Sequence, residues 1–577
     1  MILIIGAWIY YFLLNLSIGA IVIKLISKFT RNDLNLRFGP FYQFWFGFTI
    51  VIGLLQALSF VVPINNKVFI ILSLLAILSA IFNFKKVWAS VNSAFKSFAT
   101  PRGFLSFLAV CFILLMVSYA ANKEVLHSDT FIYHFNGVKW AREYPAVPGL
   151  ANLHSRLGFN SSFFLFAALT ETGFSSGQSS HIALSFLFVA CMIHWFFVIT
   201  NPRELMSKRI FCMVTSVFLI LHIVSQIDIT SLSTDYPMAI MLLVFCLVLI
   251  DKIDHKILLL LPVSAVAFAF KLSGMLTVAF GLIILSGYIF RLGYGKKDRA
   301  VRKLQLRSLI VSLMLLGFIV LGFIARNAIV SGWLIFPFPY GNLHLPWSVP
   351  KPYVLDLLAW VKSYPLVPGG ASPTVISEHD FMWWFTRWAG NFKRLFEFDL
   401  FAGSVLILLW TVFQITSFSK FFYSRLNLLF LVLFSVLNIL FWFISAPEVR
   451  FGSIFFFIFF ASSIVLLYET SRYKSILKIL IFMLFLHQIV YRLPSYNIDR
   501  GPRFFTFAYT RPLELKRTVA SPPGEKPEFY IYMPAKGDAC GNSPLPCTPY
   551  AGGFLHNHRW IRQRVAGDMS KGFLPVE

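Results

Sequence analysis

The sequence predicts an all-α polytopic membrane protein, and three observations support that class. Of the 577 residues, 58% are hydrophobic and only 13% are charged, about half the charged fraction that is usual in a soluble domain. Apolar runs of about 18 residues or more recur along the whole chain, and each is long enough to cross a ~30 Å hydrocarbon core as a helix. The alternating segments of about ten residues that a membrane β-barrel requires are absent.

The apolar runs predict about 14 transmembrane helices, with a lipid bilayer as the partner. They lie near residues 3–23, 41–62, 67–83, 104–121, 182–199, 210–226, 236–250, 257–272, 275–290, 308–329, 400–418, 426–445, 451–468 and 477–492. Segment 161–173, SSFFLFAALTETG, is too short to span comfortably, which favours a re-entrant or surface helix. The N-terminus has no basic region and no small-residue cleavage site, so we interpret it as a first span.

The distribution of the net charge of +25 predicts how the protein is oriented in the membrane. Because membrane orientation accounts for this charge, we expect no nucleic-acid partner. Lys and Arg cluster in alternate connecting segments, as the positive-inside rule describes for cytoplasmic loops. The most basic of these segments is RLGYGKKDRAVRKLQLR at 291–307. The other segments contain Lys24, Lys28, Arg31, Arg37, Lys85, Lys86, Lys96, Arg102, Arg203, Lys208, Arg209, Lys252, Lys256, Lys420, Arg425, Arg472, Lys474 and Lys478. If these segments are cytoplasmic, both termini lie on the opposite side, called here the outer face.

Three helical regions then alternate with three regions on the outer face. The helical regions are 1–121, 182–329 and 400–492, and the outer regions are the large loops 122–181 and 330–399 and the tail 493–577. The tail is rich in Pro and Gly, which predicts a small loop-rich domain with one strand at EFYIYM.

Two of the six cysteines, Cys540 and Cys547, lie in this tail, and the other four lie in predicted spans. Two cysteines alone on an outer face favour a disulfide that closes the segment CGNSPLPC. His556 and His558 lie nearby and leave a metal site as the alternative, although zinc needs more ligands at tighter spacing.

The segment HSDTFIYH, which follows a span, contains the first candidate site residue, Asp129. One interpretation is that Ser128 or Asp129 caps a helix running to about Tyr144. The functional interpretation is a carboxylate that accepts a proton from a hydroxyl acceptor or holds a cation. We expect roles in acceptor binding or in support of the site for His127, His134, Arg156 and Glu448.

Two further candidates come from short segments at the outer ends of spans. Asp235 in DITSLSTDYP supplies a second outer carboxylate, with helix capping as the alternative. Lys271 in FKLSG lies where a helix breaks. A buried Lys requires an anionic partner, whereas a snorkelling Lys reaches the lipid headgroups.

Two arginines complete the predicted set. Arg326 lies near the outer end of a span in ARNAIVSGWLIFPF, and Arg450 follows Glu448 in the short turn SAPEVRFG. Arginine clamps a phosphate through two parallel hydrogen bonds, so Lys271, Arg326 and Arg450 are candidates for donor phosphate binding. A structural Glu448–Arg450 pair is the alternative. Such a site suits a substrate with a lipid tail, a phosphate at the interface and a polar group outside.

These features resemble the GT-C superfamily of integral-membrane glycosyltransferases. The resemblance rests on the acid in the first large outer loop, the second outer acid, the segment RNAIVSGWLIFPF and the turn PEVRF, and its layout covers residues 1–490. VPGLANLHSRLGFNSS and GDACGNSPLPCTPY also resemble a group of largely uncharacterised bacterial polytopic membrane proteins.

The GT-C resemblance implies a polyprenyl-phosphate-linked sugar donor, a glycan or lipid acceptor, and a place in the bacterial inner membrane with the active site on the periplasmic face. It implies that Asp129 is the catalytic base, Asp235 the second acid, and Lys271 and Arg450 the phosphate partners. HSD stands where many GT-C enzymes have paired acids, so no cofactor is certain and a divalent cation stays open. The alternatives are a ligase or polymerase of lipid-linked glycans, and a flippase, which predicts midplane charges and inverted repeats that we do not find.

Overall fold

A computed structural model describes the chain as a bundle of apolar helices with a small β-containing tail. It describes residues 1–29, 38–83, 100–225, 227–252, 255–294, 299–413, 426–492, 504–507, 513–520, 529–549 and 561–575. The following features used for the predictions lie outside those residues: Arg31, Arg37, Lys85, Lys86, Lys96, Lys420, Arg425, His556, His558, residues 295–298 of the most basic loop, and the predicted span ends at 226 and 414–418.

The helices follow the predicted order along the chain. The α-helices are Ile2–Phe29, Pro40–Leu58, Asn66–Phe82, Pro101–Ala121, Phe135–Glu143, Leu150–Leu153, Ser162–Thr170, Ser179–Thr200, Met206–Ser225, Asp235–Ile250, Ile257–Phe270, Met275–Tyr294, Arg299–Ser331, Lys351–Ser363, Pro373–Ser377, Phe381–Phe392, Phe396–Phe413, Leu426–Ser445, Val449–Thr470 and Lys474–Arg492. A π turn covers Thr130–His134, and 3₁₀ turns cover Ser155–Phe159, Gly173–Ser175, Leu272–Gly274, Tyr364–Leu366 and Met569–Lys571.

Within the described residues, eight helices are long and apolar enough to cross a membrane. They are Ile2–Lys28, Pro40–Leu58, Pro101–Ala121, Ser179–Thr200, Leu272–Phe290, Gln305–Ser331, Leu426–Ser445 and Val449–Thr470. Helices Phe381–Phe392 and Phe396–Val412 make a ninth span if they are counted together, although they are bent by 88°. The class of polytopic helical membrane protein is therefore supported, but the predicted count of 14 spans is not confirmed.

Three of the predicted spans are helices that are shorter than a full membrane span, and two of these lie inside the bundle. Every predicted span coincides with a helix, but those predicted at 67–83, 236–250 and 257–272 are only 17, 16 and 14 residues long. All side chains of Asp235–Ile250 and Ile257–Phe270 are buried. A helix that is apolar on all sides must be covered by other helices or by lipid. These two form the centre of the bundle. Segment 161–173 likewise contains a fully buried helix of nine residues, Ser162–Thr170.

The tail contains two small antiparallel pairs of strands. Strand Leu515–Ala520 pairs with Phe529–Pro534, and Ile561–Gln563 pairs with Phe573–Pro575. The strand predicted at EFYIYM is present as Phe529–Pro534. The predicted disulfide between Cys540 and Cys547 is confirmed.

The tail docks on the first large loop, close to Asp129 in sequence. The Gly541 N–H donates to the Phe131 carbonyl over 2.6 Å, Asn136 Nδ2 donates to the Gly541 carbonyl over 3.1 Å, and Lys139 Nζ donates to the Ser543 carbonyl over 2.9 Å. The disulfide-closed segment is therefore fastened to the helical segment that follows Asp129. A side chain at Gly572 would place its Cβ 1.9 Å from the Pro148 carbonyl oxygen, so this second contact requires glycine.

The orientation of the bundle can be tested with two exposed tyrosines near its opposite ends. Tyr340 (80% exposed) follows the span Gln305–Ser331, and Tyr473 (71% exposed) follows the span Val449–Thr470. In intact cells, a membrane-impermeant maleimide is expected to label Tyr340→Cys, and to label Tyr473→Cys only after permeabilisation. The unsubstituted protein supplies the background, because Cys111 is partly exposed whereas the other free cysteines, Cys191, Cys212 and Cys246, are buried. If only position 473 were labelled in intact cells, the orientation would be the opposite of the predicted one.

Candidate functional site

Asp129 lies at the start of the π turn Thr130–His134, just after the span Pro101–Ala121. Its carboxylate makes no capping hydrogen bond. Its oxygens instead accept from Arg156 Nη1 over 3.4 Å and from Arg450 Nη2 over 2.9 Å. The structure therefore uses Asp129 in ion pairs and not as a helix cap. A π turn at this point agrees with the frequent occurrence of such turns at functional sites.

Asp235 is the first residue of helix Asp235–Ile250, and its side chain is 8% exposed. It forms an ion pair with Lys271 and accepts a hydrogen bond from Ser233 Oγ over 3.1 Å. Arg450 Nε lies 3.6 Å from its second oxygen, Oδ2. Arg450 therefore lies between two carboxylates, Asp129 and Asp235, that are far apart in sequence.

Lys271 reaches this position because helix Ile257–Phe270 stops directly before it. Its backbone is extended, and the 3₁₀ turn Leu272–Gly274 begins the next helix. A Cβ on Gly274 would lie 2.5 Å from the Ala267 carbonyl oxygen, so this tight turn requires glycine. The ammonium group lies 3.5 Å from the ring centroid of Phe451. Lys271 is therefore directed to a carboxylate and an aromatic ring within the protein, and snorkelling does not describe it.

Arg450 is the second residue of helix Val449–Thr470, and two indole groups hold the turn before it. Trp442 Nε1 donates to the Glu448 carbonyl over 2.7 Å, and Trp388 Nε1 donates to the Pro447 carbonyl over 3.0 Å. The free N–H groups of a first helical turn add positive potential there. Among the described residues, no ion pair joins Glu448 to Arg450, so the alternative of a Glu–Arg pair does not hold. Burial raises the pKa of the Glu448 carboxyl.

A chain of hydrogen bonds extends from Arg450 through the HSDTFIYH segment. Arg450 Nη1 donates to His127 Nε2 over 3.3 Å, and Thr130 Oγ1 lies 3.3 Å from Nδ1 of both His127 and His134. Because a guanidinium only donates, His127 carries its proton on Nδ1 and donates it to Thr130. Thr130 also accepts from the Leu232 N–H over 3.1 Å, which ties this segment to the Asp235 turn.

The two histidines are neutral at neutral pH because their surroundings disfavour the charged form. Burial, and then the charge of Arg450, lowers the pKa of His127. Burial lowers the pKa of His134 further below its ordinary value. Burial by itself would raise the pKa of Asp129, but Arg450 and the neighbouring positive groups hold it below its usual range. Asp129 is therefore ionised.

We call Asp129, Arg156, Asp235, Lys271 and Arg450 the Asp129 cluster. Two carboxylates face three cations in it, so the cluster has a net charge of +1 when all five groups are ionised. Coulomb attraction at a partly buried site of positive charge favours an anionic ligand. Among the described residues, no group of three His, Cys, Asp or Glu side chains is placed to hold a metal ion.

The structure also separates one predicted residue from the cluster and adds others. Arg326 donates to Ser59 Oγ over 3.1 Å, and no hydrogen bond or ion pair joins it to the cluster within the described part of the chain. Thr130 was not predicted, although the spacing of His127, Thr130 and His134 places three polar groups on one helical face. The pair of His222 and Asp228, 2.8 Å apart, was also missed, and no sequence spacing marks it.

A comparison with protein families covers every residue of the Asp129 cluster. The matching model is described as a domain of unknown function (DUF8201) and spans residues 1–457. The chain belongs to the DUF8201 family. No curated protein and no solved structure matches the chain. The Asp129 cluster of this DUF8201 protein therefore lies within the family region, whereas helix Lys474–Arg492 and the docked tail lie beyond it.

The bridging role of Arg450 predicts a specific pattern of unfolding temperatures. Arg450→Gln leaves Asp129 with Arg156 and Asp235 with Lys271, and we expect a loss of roughly 1–2 kcal/mol because the guanidinium is partly exposed. Adding Asp129→Asn should recover part of this loss, since it removes one of the two carboxylates that Arg450 neutralised. Thermal unfolding of the purified protein measures both effects.

The exposed Arg394 provides the matched control, because Arg394→Gln changes the same residue type outside the cluster. Its unfolding temperature should equal that of the unsubstituted protein. The bridge would be refuted if Arg450→Gln behaved like Arg394→Gln, or if Asp129→Asn lowered the stability of the Arg450→Gln protein further.

Proposed function

We propose that this DUF8201 protein is a GT-C type glycosyltransferase of bacterial envelope or surface polysaccharide synthesis. It transfers a sugar from a polyprenyl-phosphate-linked donor to a glycan or lipid acceptor at the periplasmic face of the inner membrane. The observation that carries the proposal is the position of Arg450 between two carboxylates, beside Lys271, among the ends of apolar helices.

The chemical composition of the Asp129 cluster supports a lipid-linked phosphate as the substrate. Arg450 offers a planar fork of donors and Lys271 a point charge, and both groups bind phosphates in proteins. Both lie at the ends of apolar helices, where a phosphate joined to a lipid tail meets the protein. The net positive charge of the cluster compensates the phosphate when it enters.

Asp129 is the general base in this proposal. The acceptor hydroxyl gives its proton to the Asp129 carboxylate while its oxygen forms a bond to the anomeric carbon of the donor sugar. The bond between that carbon and the phosphate oxygen breaks, and its electron pair leaves with the polyprenyl phosphate. Arg450 and Lys271 stabilise the charge on the leaving phosphate, and the displacement inverts the anomeric centre.

Donor binding strengthens Asp129 as a base. Without a donor, Arg450 contributes to the lowered pKa of Asp129. When the donor phosphate engages Arg450, the positive charge felt by the carboxylate falls, and its affinity for a proton increases. The base therefore gains strength only after the donor is in place. Asp235 has a complementary role. It holds Lys271 in place, and it binds the edge of the Arg450 guanidinium that does not contact Asp129.

The assignment of the base can be tested by comparing two carboxyl groups. Asp129→Asn should reduce glycan transfer by about 10²-fold or more with normal expression, because it removes the proton acceptor. Glu448→Gln tests the rival base, since burial raises the pKa of Glu448 and so increases the affinity of its carboxylate for a proton. The measurement is transfer from a radiolabelled polyprenyl-phosphate sugar in membranes that contain each variant.

Asp356→Asn is the matched control, because Asp356 is an exposed acid of the second large loop. It should retain full activity. If Asp129→Asn kept full activity and Glu448→Gln lost it, the general base would be Glu448. Retention of activity by both variants would refute Asp129 and Glu448 alike as the base.

The pH dependence of kcat/KM gives a separate test of the electrostatics. Positive neighbours lower the pKa of Asp129, so its deprotonated form persists to pH values below the ordinary carboxyl range. Arg156→Gln removes one of these charges and should raise the pKa of Asp129, moving the acid limb of the profile to higher pH. The limb should stay in place in Arg394→Gln, and an unmoved limb in Arg156→Gln would contradict the role of Asp129 as the titrating base.

A further inference from the structure

Arg326 is a buried cation that pairs with no carboxylate in the described part of the chain. Its side chain belongs to the span Gln305–Ser331, and the residue is only 9% exposed. Within the described residues, its one hydrogen bond goes from Nη1 to Ser59 Oγ, and it makes no ion pair. Arginine stays charged in proteins, and an unpaired buried charge is strongly unfavourable. An ionisable side chain at such a position indicates a function that recovers this cost.

The surroundings of Arg326 form a polar seam between two spans. Gln56 and Ser59 lie at one end of Pro40–Leu58, and Gly322 and Arg326 lie one turn apart on the facing helix, on the same side of it. A Cβ on Gly322 would lie 3.0 Å from Gln56 Oε1, so the two helices approach closely here. Asn160 completes the seam by donating from Nδ2 to the Phe323 carbonyl over 3.1 Å.

The seam also holds buried acceptors that lack a partner. Gln56 Oε1 and Asn160 Oδ1 are buried, and neither has a hydrogen-bond partner among the residues that the structure describes. The Gln56 amide nitrogen is already used, since it donates to Ser162 Oγ over 2.8 Å. Most buried polar groups in proteins are paired, so two orphaned acceptors beside an orphaned cation are unusual. A ligand that combines an anionic oxygen with hydroxyl donors would satisfy all three.

We propose that Gln56, Ser59, Asn160 and Arg326 form a binding site for a hydroxyl-bearing phosphate ester headgroup of a lipid. The phosphate oxygens accept from Arg326, and the hydroxyls donate to Gln56 and Asn160. Both helices of the seam are apolar spans, so a lipid tail can lie along them in the bilayer. This site is separate from the Asp129 cluster: Arg156 at one end of segment 155–160 contacts Asp129, while Asn160 at the other end contacts the seam.

A binding experiment on the full-length protein tests the site. The protein is purified in a detergent that has neither sugar nor phosphate, and it is titrated with phosphatidylglycerol, with a glycosylated short-chain isoprenyl phosphate and with inorganic phosphate. We expect the seam to bind at least one of the two lipids, and Arg326→Gln to weaken this binding by about tenfold or more. Arg394→Gln should bind as the unsubstituted protein does.

The three probes and two further variants identify the bound group. Preference for phosphatidylglycerol assigns the seam to a glycerophospholipid, and preference for the isoprenyl phosphate assigns it to a glycan carrier. Gln56→Leu should weaken binding of the hydroxyl-bearing lipids but leave that of inorganic phosphate unchanged. Binding should persist in the Lys271→Gln/Arg450→Gln protein, so a failure of the proposed transferase site is distinguishable. The proposal would be overturned if Arg326→Gln bound the lipids as well as the unsubstituted protein does. It would also be overturned if the unsubstituted protein bound neither lipid.

Stability without any added lipid gives a second criterion. If Arg326 serves a ligand, Arg326→Met removes an unpaired buried charge, and its unfolding temperature should equal or exceed that of the unsubstituted protein. If Arg326 is instead part of the packing, the same change should lower the unfolding temperature, which would overturn the proposal. Should Arg326→Met fail to express, Ser59→Ala must show weakened lipid binding with a normal unfolding temperature, or the proposal falls.

Discussion

The ion pairs of Arg450 with Asp129 and Asp235 are the interaction on which the rest of the site depends. The two acids come from segments about a hundred residues apart, and Arg450 comes from a third segment more than two hundred residues further along the chain. Both carboxylates are largely buried, so each requires a cation close by. The local structure of all three segments serves this meeting: the π turn after Asp129, the break at Lys271, and the turn before Arg450 that two tryptophans hold.

The short central helices explain how charged groups come to lie together in so apolar a chain. A helix of 14 residues, such as Ile257–Phe270, is about 21 Å long, less than the ~30 Å of a hydrocarbon core. Its end therefore falls short of the position that a full span would reach. Lys271 follows this end, and Asp235 begins the neighbouring short helix. The longer helices around them exclude lipid, so the two charges meet each other and Arg450 in place of headgroups.

The sequence was sufficient to predict much of the site, since Asp129, Asp235, Lys271 and Arg450 each follow or precede an apolar run. Charge at the end of such a run is conspicuous, and one orientation brings all four to one face. The span count was not predictable in the same way, because an apolar run does not reveal whether lipid or protein covers it. Asp235–Ile250 reads as a span but is buried by its neighbours. The docking of Gly541 on Phe131 was also beyond prediction, since backbone hydrogen bonds across four hundred residues leave no pattern.

Arg450 and Arg326 show two opposite ways of preparing an arginine for an anion. Arg450 already has two carboxylates, so an incoming phosphate must compete with both, and the net gain is the difference between two sets of charge-assisted bonds. Arg326 bonds only a serine hydroxyl among the described residues, so a phosphate there relieves a buried charge without displacing a charged group. The first arrangement suits a ligand that exchanges, because Arg450 pairs with the two carboxylates again when the ligand dissociates. The second suits a ligand that stays, because its departure restores an uncompensated charge inside the bundle. In the proposed function, substrate exchanges at the Asp129 cluster, and in the proposed lipid site a lipid stays bound at the seam of Arg326.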